Sequence, residues 1–313
     1  MTDQHTCSIV LGRTLTHAET TVVQEGLARY NTQQTNGAFN QPGIEINLVL
    51  KDAEGKVVGG IEASTVLSVM HLEALWVAHE RRKLGYGTAL VLEAERMGYA
   101  AGCIASQTYT FSFQAPEFYK KLGYRVLGIY DGYPEAITEH VLMKRLPHHT
   151  HTPADDQRLR GDGNAGRFSI SEPATENEMK TVHAGLGRYV DEQIGDERNN
   201  PGIGIQLVMQ DRQGQVVGGL LAGTTIQNMY IEHLWVDKPY RGLGYGTKLM
   251  LTADRIAQEH GCIACQTYCL SFQAPEFFQK LGYETYGISD GYPKPVQEYY
   301  LIKRYKQPPP RAL

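Results

Sequence analysis

The chain is written twice. Arg82-Lys-Leu-Gly85-Tyr-Gly87-Thr88 recurs as Arg241-Gly-Leu-Gly244-Tyr-Gly246-Thr247, an offset of 241 − 82 = 159 residues. The same offset carries Ser112-Phe-Gln-Ala-Pro-Glu-Phe118 onto Ser271-Phe-Gln-Ala-Pro-Glu-Phe277, Gly26-Leu-Ala-Arg-Tyr30 onto Gly185-Leu-Gly-Arg-Tyr189, and Gln41-Pro-Gly43 onto Asn200-Pro-Gly202. A period this long exceeds that of a solenoid, so each copy is expected to be a complete domain. Residues 1–147 form the first domain and 167–306 the second. The polar, glycine-rich stretch 148–166 reads as a linker and Gln307-Pro-Pro-Pro310 as an extended tail. His148, His149 and His151 belong to that linker and read as solvated side chains rather than metal ligands.

Each copy has the same order of elements. A short strand (Cys7 to Arg13; Arg167 to Glu172) precedes an amphipathic helix around Val22 to Tyr30 or Val182 to Tyr189. A hairpin follows, from Ile44 to Leu50 and Val57 to Ile61 around Asp52-Ala-Glu-Gly55, then the apolar strand His71 to Val77, the glycine loop and a helix over Thr88 to Ala100. The strand Cys103 to Thr110, a helix opening at Pro116, and strands Tyr124 to Ile129 and Glu139 to Leu146 complete the unit. The expected class is α/β (α+β): two tandem domains, each a mixed, mostly antiparallel sheet flanked by helices.

Composition narrows the function. Thirty basic against 34 acidic residues leave a net charge of −4, which argues against nucleic acid as a main partner. No apolar run approaches the roughly 18 residues of a membrane span, and the start lacks a signal-peptide pattern, so the expected compartment is the cytoplasm, without a membrane partner. Five cysteines, an odd number, fit a reducing compartment. Cys262 and Cys265 form a CxxC in an apolar, strand-like segment without companion ligands, so they read as core residues and no metal is expected.

A strand feeding Gly-x-Gly at the mouth of a helix suits phosphate, because the first turn offers unpaired N–H groups and a partial positive charge. The nucleotide-hydrolysing P-loop is excluded, since Thr88-Ala89 follows Gly87 where Lys-Ser or Lys-Thr is needed; a dinucleotide fingerprint is excluded by Leu90 and Leu249. What stands there is Arg82-x-x-Gly85-x-Gly87 after Leu75-Trp-Val77. This resembles the acetyl-CoA-binding signature of the GNAT superfamily of N-acetyltransferases, and Ser112-Phe-Gln-Ala115-Pro-Glu-Phe-Tyr119-Lys-Lys-Leu-Gly123-Tyr124 resembles that family's second conserved segment. The resemblance covers both copies nearly whole.

It implies acetyl-CoA as cofactor. The backbone of Arg82, Lys83, Leu84, Gly85, Tyr86, Gly87 and Thr88 would hold its pyrophosphate, with Arg241, Gly242, Leu243, Gly244, Tyr245, Gly246 and Thr247 as counterparts. In the family the strand before the loop splays from its neighbour, and pantetheine completes the ladder along it. Here that strand is Leu75, Trp76 and Val77, and in the second copy Leu234, Trp235 and Val236; the two tryptophan side chains are expected in the core, facing away from the cofactor.

Acetylation needs a neutral amine, and a lysine-like amine with pKa about 10.4 carries a deprotonation penalty of about 4 to 5 kcal/mol at pH 7. Glu73 is the candidate base or acceptor ligand, sharing a strand face with Leu75 and Val77 by alternation; Glu232 is its counterpart and His71 a second candidate, replaced by Tyr230 in the other copy. The family's proton-donating tyrosine falls on Tyr119 and, in the second copy, on Phe278. Ser112 and Ser271 stand where the family has asparagine. Asp131 and Tyr133, in Asp-Gly-Tyr-Pro between the last strands, are tentative acceptor residues. The reading is an acetyl-CoA-dependent N-acetyltransferase acting by direct attack in a ternary complex, with the first copy as the catalytic one and a small-molecule amine favoured over a protein. An intrachain pseudo-dimer is expected, and a homodimer is left open. The alternative is a non-catalytic acyl-CoA-binding or interaction protein, at least for the second copy.

Overall fold

The computed structural model describes residues 7–10, 15–146, 168–195 and 202–306. The linker and the proline-rich tail lie outside these residues. In chain order the first copy gives β1 (Ser8–Val10), α1 (His17–Gln34), β2 (Glu45–Asp52), β3 (Val57–Val66), β4 (Val69–Val77), α2 (Tyr86–Ala100), β5 (Ala105–Phe111), α3 (Pro116–Lys121), β6 (Arg125–Tyr130) and β7 (Glu139–Arg145). The second gives β8 (Phe168–Ser171), α4 (Glu176–Ile194), β9 (Gly204–Gln210), β10 (Val216–Thr225), β11 (Asn228–Val236), α5 (Tyr245–Glu259), β12 (Ala264–Leu270), α6 (Pro275–Lys280), β13 (Glu284–Ser289) and β14 (Glu298–Arg304).

Local chemistry sets the element ends. Thr16 and Glu19 form a capping box at the start of α1, and Thr175 and Glu178 repeat it on α4, so both helices begin one to two turns earlier than the apolar periodicity suggests. Pro116 and Pro275 occupy the first turns of α3 and α6.

Two seven-stranded sheets result, ordered β6-β7-β5-β4-β3-β2-β8 and β13-β14-β12-β11-β10-β9-β1. Each is antiparallel except for one parallel pair, β4 with β5 and β11 with β12. The edge strands are exchanged. β8, from the second copy, pairs with β2 of the first, and β1 pairs with β9 of the second. The following helices go with them: α4 packs on β2, β3 and β4, and α1 on β9, β10 and β11. The repeats are contiguous in sequence, but each folded layer takes its first strand and helix from the other repeat.

The exchange is packed tightly. Trp76 lies against Gly185 of α4 and Trp235 against Gly26 of α1; Gly60 meets Val182 as Gly219 meets Val23. At these points only hydrogen fits, which is why glycine recurs in both helices and both strands. Each sheet keeps its own core beneath its loop-proximal helix, with Leu48, Ile61, Met70 and Leu90 in one and Leu207, Leu220, Met229 and Leu249 in the other. Further clusters mix the copies, joining Tyr130 and Tyr133 to Ile226 and Ile302, and Val69 and Met143 to Leu270 and Tyr292. β6 and β13 cross closely enough that a Cβ on Gly128 would lie 2.5 Å from the Tyr286 carbonyl oxygen.

Candidate active site

In each sheet the parallel pair comes apart. β4 and β5 are in register from Val69↔Ala105 to Leu72↔Thr108, after which β4 continues on β3 to Val77 while β5 continues on β7 to Phe111. β11 and β12 separate after Tyr230↔Gln266. Beyond these points the facing edges of the strands carry peptide groups with no ladder partner across the gap, a slot fitted to an extended chain bearing amides.

The loops after β4 and β11 take the same shape. Lys83 and Gly85 both have positive φ (64° and 86°), as do Gly242 and Gly244 (75° and 83°), so the first position tolerates lysine while glycine sits at the second in both copies. Gly85 and Gly244 are the N-caps of α2 and α5, and no side chain caps either helix. A helix start without a side-chain cap, here over Tyr86, Gly87 and Thr88 and over Tyr245, Gly246 and Thr247, is the kind of place that suits an anion.

Arg82 has a more specific place than a loop cation. Its Nε donates to the Val77 carbonyl (2.9 Å), and its guanidinium lies 4.6 Å from the ring centroid of Tyr189 on α4. The Tyr189 hydroxyl donates to the Phe113 carbonyl at 2.8 Å. Arg241, Val236, Tyr30 and Phe272 repeat the arrangement. The loop arginine of one copy is thus braced by the exchanged helix of the other, a contact that the sequence offered only as a recurring tyrosine. Val77 and Val236 use their carbonyls on these arginines, and Trp76 and Trp235 pack against the exchanged helices.

Glu73 departs from the alternation reading. The β3–β4 register slips between Glu62↔Ala74 and Ala63↔Leu72, making Glu73 the extra residue of a β-bulge, and Glu232 is bulged identically between Leu221↔His233 and Ala222↔Ile231. A bulge breaks the two-residue period and re-aims a side chain. Glu73 is exposed, held by the Ser64 hydroxyl, while Leu75 and Val77 pack on the core.

Tyr119 is buried, its ring edge-on to Phe118 and Tyr124. Its hydroxyl bonds to Thr108, whose own hydroxyl donates to the Leu72 carbonyl (3.1 Å), and Leu72↔Thr108 is the last pair before the strands part. Burial pushes its pKa up to about 12, partly offset by Thr108. Phe278 fills the same place in the second copy, against Tyr283, with Thr267 donating to the Ile231 carbonyl.

Asp131 and Tyr133 are engaged at the junction between repeats rather than at the strand split. Asp131 ion-pairs with Arg304 of the other copy, and the buried Tyr133 hydroxyl donates to Glu139 (3.3 Å) and accepts from Gln266 (3.0 Å). Both serve the junction between repeats. Ser112 and Ser271 accept from the Thr138 and Gln297 backbones, bracing the strand ends.

A cavity of about 550 Å³ opens at the β11–β12 split and is lined from both copies, by Ile231 to Leu234, Thr267 to Leu270 and Phe278 on one side and His71, Glu73 and Tyr109 on the other. Burial holds the His71 pKa down to about 4, so the ring is neutral at pH 7; its Nε2 lies 3.5 Å from the Tyr292 hydroxyl.

The sequence profile of the acetyltransferase (GNAT) family matches residues 15–124 and again residues 175–283. The chain belongs to the GNAT family of acetyltransferases. Among relatives of this tandem acetyltransferase is the blasticidin-S acetyltransferase of Streptomyces morookaense, 40% identical over 93 residues, which are 29% of this chain and 68% of that one. The acetyltransferase Atu2258 of Agrobacterium fabrum is 22% identical over 120 residues, 38% of this chain and 85% of that one. A crystal structure of an acetyltransferase from Bacillus cereus is 32% identical and covers 43% of this chain and 96% of its own, with a TM-score of 0.42. No helix among the described residues of the acetyltransferase is long and apolar enough to cross a membrane.

Proposed function

We propose that the protein transfers an acetyl group from acetyl-CoA to the primary amine of a small molecule, by direct attack while both are bound. The observation that carries this is the pairing of a strand split with an uncapped helix N-terminus, present twice. The loop N–H groups suit a pyrophosphate and the parted strands suit the pantetheine amides, so the residues present fit the cofactor. Acetyl-CoA supplies the thioester.

The chain's own groups supply the rest. Backbone N–H groups near Val77 orient the carbonyl. Glu73, exposed on its bulge, receives or deprotonates the incoming ammonium group. Tyr119, protonated throughout the neutral range and placed at the split, gives a proton to the departing thiolate, which makes the first copy competent. A cysteine nucleophile is disfavoured: burial raises all five thiols, Cys269 beside the cavity to about 12. The relative that acetylates blasticidin S supports a small-molecule acceptor.

A second reading is favoured by the cavity itself. It opens on the cleft of the second copy, where Phe278 lacks a hydroxyl but Tyr230 and Tyr268 line the same space. In this reading the second cleft also turns over, with one of those phenols as donor. A thiol-release screen of the full chain with acetyl-CoA against polyamines, amino acids, aminoglycosides, aromatic amines and peptide N-termini tests the function. Binding of CoA without thiol release from any of them would leave a non-catalytic acyl-CoA-binding protein.

A further inference from the structure

We infer that the acceptor of the C-terminal cleft is gripped by side chains of the N-terminal repeat, and that it is a small organic cation with a flat body and no carboxylate. This rests on the second reading above, in which the C-terminal cleft also transfers acetyl groups, and adds to it a substrate class and a composite site. The cavity begins between the diverging ends of β11 and β12, yet its far wall is Ser64, His71, Glu73 and Tyr109 of the first repeat. Gln24 and Asn31 close a further side, and they stand there because α1 lodges on the second sheet. A cleft belonging to one copy is therefore incomplete without the other.

The chemistry of the wall selects the occupant. Its formally charged members are Glu73, Glu232 and Glu298, and among the described residues that line it there is neither lysine nor arginine. His71 and His233 are both held towards the neutral form by burial, so they do not offset the carboxylates. Glu298 is buried and bonded to Tyr300 (2.5 Å) and Gln107 (3.0 Å), which leaves the exposed Glu73 and Glu232 as the groups that meet a ligand. Tyr109, Tyr230, Tyr268 and Tyr292 add π faces, which attract a cation and stack on a planar body. A carboxylate on the ligand would face like charge in a partly enclosed space and is disfavoured. A second depression of about 390 Å³ shares Gln24 and Glu232 with the first, giving the amine end room to extend past Glu232.

The test uses the full chain and tyramine, compared with tyrosine, which adds a carboxylate, and 4-ethylphenol, which removes the charge. Calorimetry should show tyramine binding at least about tenfold tighter than either, and Glu73→Gln should weaken tyramine about tenfold while leaving acetyl-CoA affinity unchanged. In a Gly87→Glu background, where the added side chain starts against Phe118 and Val77 at the first turn of α2 and obstructs the N-terminal loop, the thiol release that remains comes from the C-terminal cleft; adding Glu73→Gln should raise KM for tyramine with KM for acetyl-CoA unmoved. Tyramine binding no tighter than 4-ethylphenol, or indifferent to Glu73→Gln, overturns the inference. Glu73-dependent tyramine binding with no thiol released from any amine supports the cation chamber and overturns the acetyl-transfer reading instead.

Discussion

The indole of Trp76, in the first repeat, lies against Gly185 of the second so closely that an added Cβ would come within 2.2 Å of the ring. Gly26 and Trp235 repeat the contact at 2.3 Å. In an open helix, replacing glycine by alanine gains up to about 1 kcal/mol. Here the neighbour is a rigid indole wedged between a helix and a sheet, so overpacking decides the sign. Gly185→Ala should destabilise the protein by about 1–3 kcal/mol in urea unfolding, and Gly187→Ala, two residues on and facing open space, should stabilise it slightly.

Much of this architecture was legible because it is local. Capping residues, turn glycines and period-two apolar runs depend on near neighbours, and the repeat supplied each of them twice. The exchange of β1 and α1 for β8 and α4 was not legible, because β2 and β9 present chemically similar edges and either can receive either first strand. The bulge at Glu73 was hidden for another reason: an inserted residue leaves the sequence alternating while shifting the ladder beside it. The Asp131-Gly-Tyr133 turn was visible as a turn, but two of its partners, Arg304 and Gln266, belong to the other copy.

Tyr119→Phe removes one hydroxyl and preserves a buried ring, so its effect separates chemistry from packing. Turnover should fall about 10²-fold with little change in acetyl-CoA affinity, while Phe278→Tyr should not lower it. Because burial holds the Tyr119 pKa near 12, the wild-type rate should show no loss from tyrosine ionisation below about pH 11. Equal loss of activity from disabling the Gly244 loop alone would contradict a leading role for the first copy.

His71 gives a pH dependence with a definite sign. Its folded pKa, about 4, lies below the ordinary 6.5, so the unfolded chain binds more protons between those values. The stability it allows is fully present above about pH 6.5 and is lost as pH falls towards 4, by at most about 3 kcal/mol. Denaturant midpoints for the wild type should drop across this window more steeply than those of His71→Gln. Parallel slopes would mean that the ring is solvated in the folded protein.

The junction between repeats is built from a crossed pair of polar contacts. Gln107 of the first copy donates to Glu298 of the second (3.0 Å) and accepts from Ser289, while Gln266 of the second donates to Glu139 of the first (3.3 Å). Glu298 is buried and Glu139 half-buried, and desolvation raises the pKa of each. Gln107→Leu keeps the volume but withdraws a donor from one carboxylate and an acceptor from Ser289, and should cost about 1–3 kcal/mol. With folded pKa values raised, the folded state holds the extra protons, so stability contributed by Glu139 and Glu298 declines as pH rises above the usual carboxylate range. Glu298→Gln should flatten that decline, and the acid-side midpoints of the two proteins should converge.

Exchange of β1–α1 for β8–α4 makes each sheet depend on both copies. A first copy expressed alone, residues 1–147, lacks the strand that pairs with β2 and the helix that covers Trp76, and therefore leaves an open sheet edge and an uncovered apolar face. It should be insoluble, or should pair with a second molecule of itself that supplies β1 and α1 in place of β8 and α4. Co-expressed with residues 148–313 it should give a soluble 1:1 complex. Cleavage engineered into the 148–166 segment should leave the two halves together on gel filtration and part them only in denaturant. A soluble monomer of residues 1–147 with the Trp76 fluorescence of the full chain would show that a copy can take its own first strand and helix.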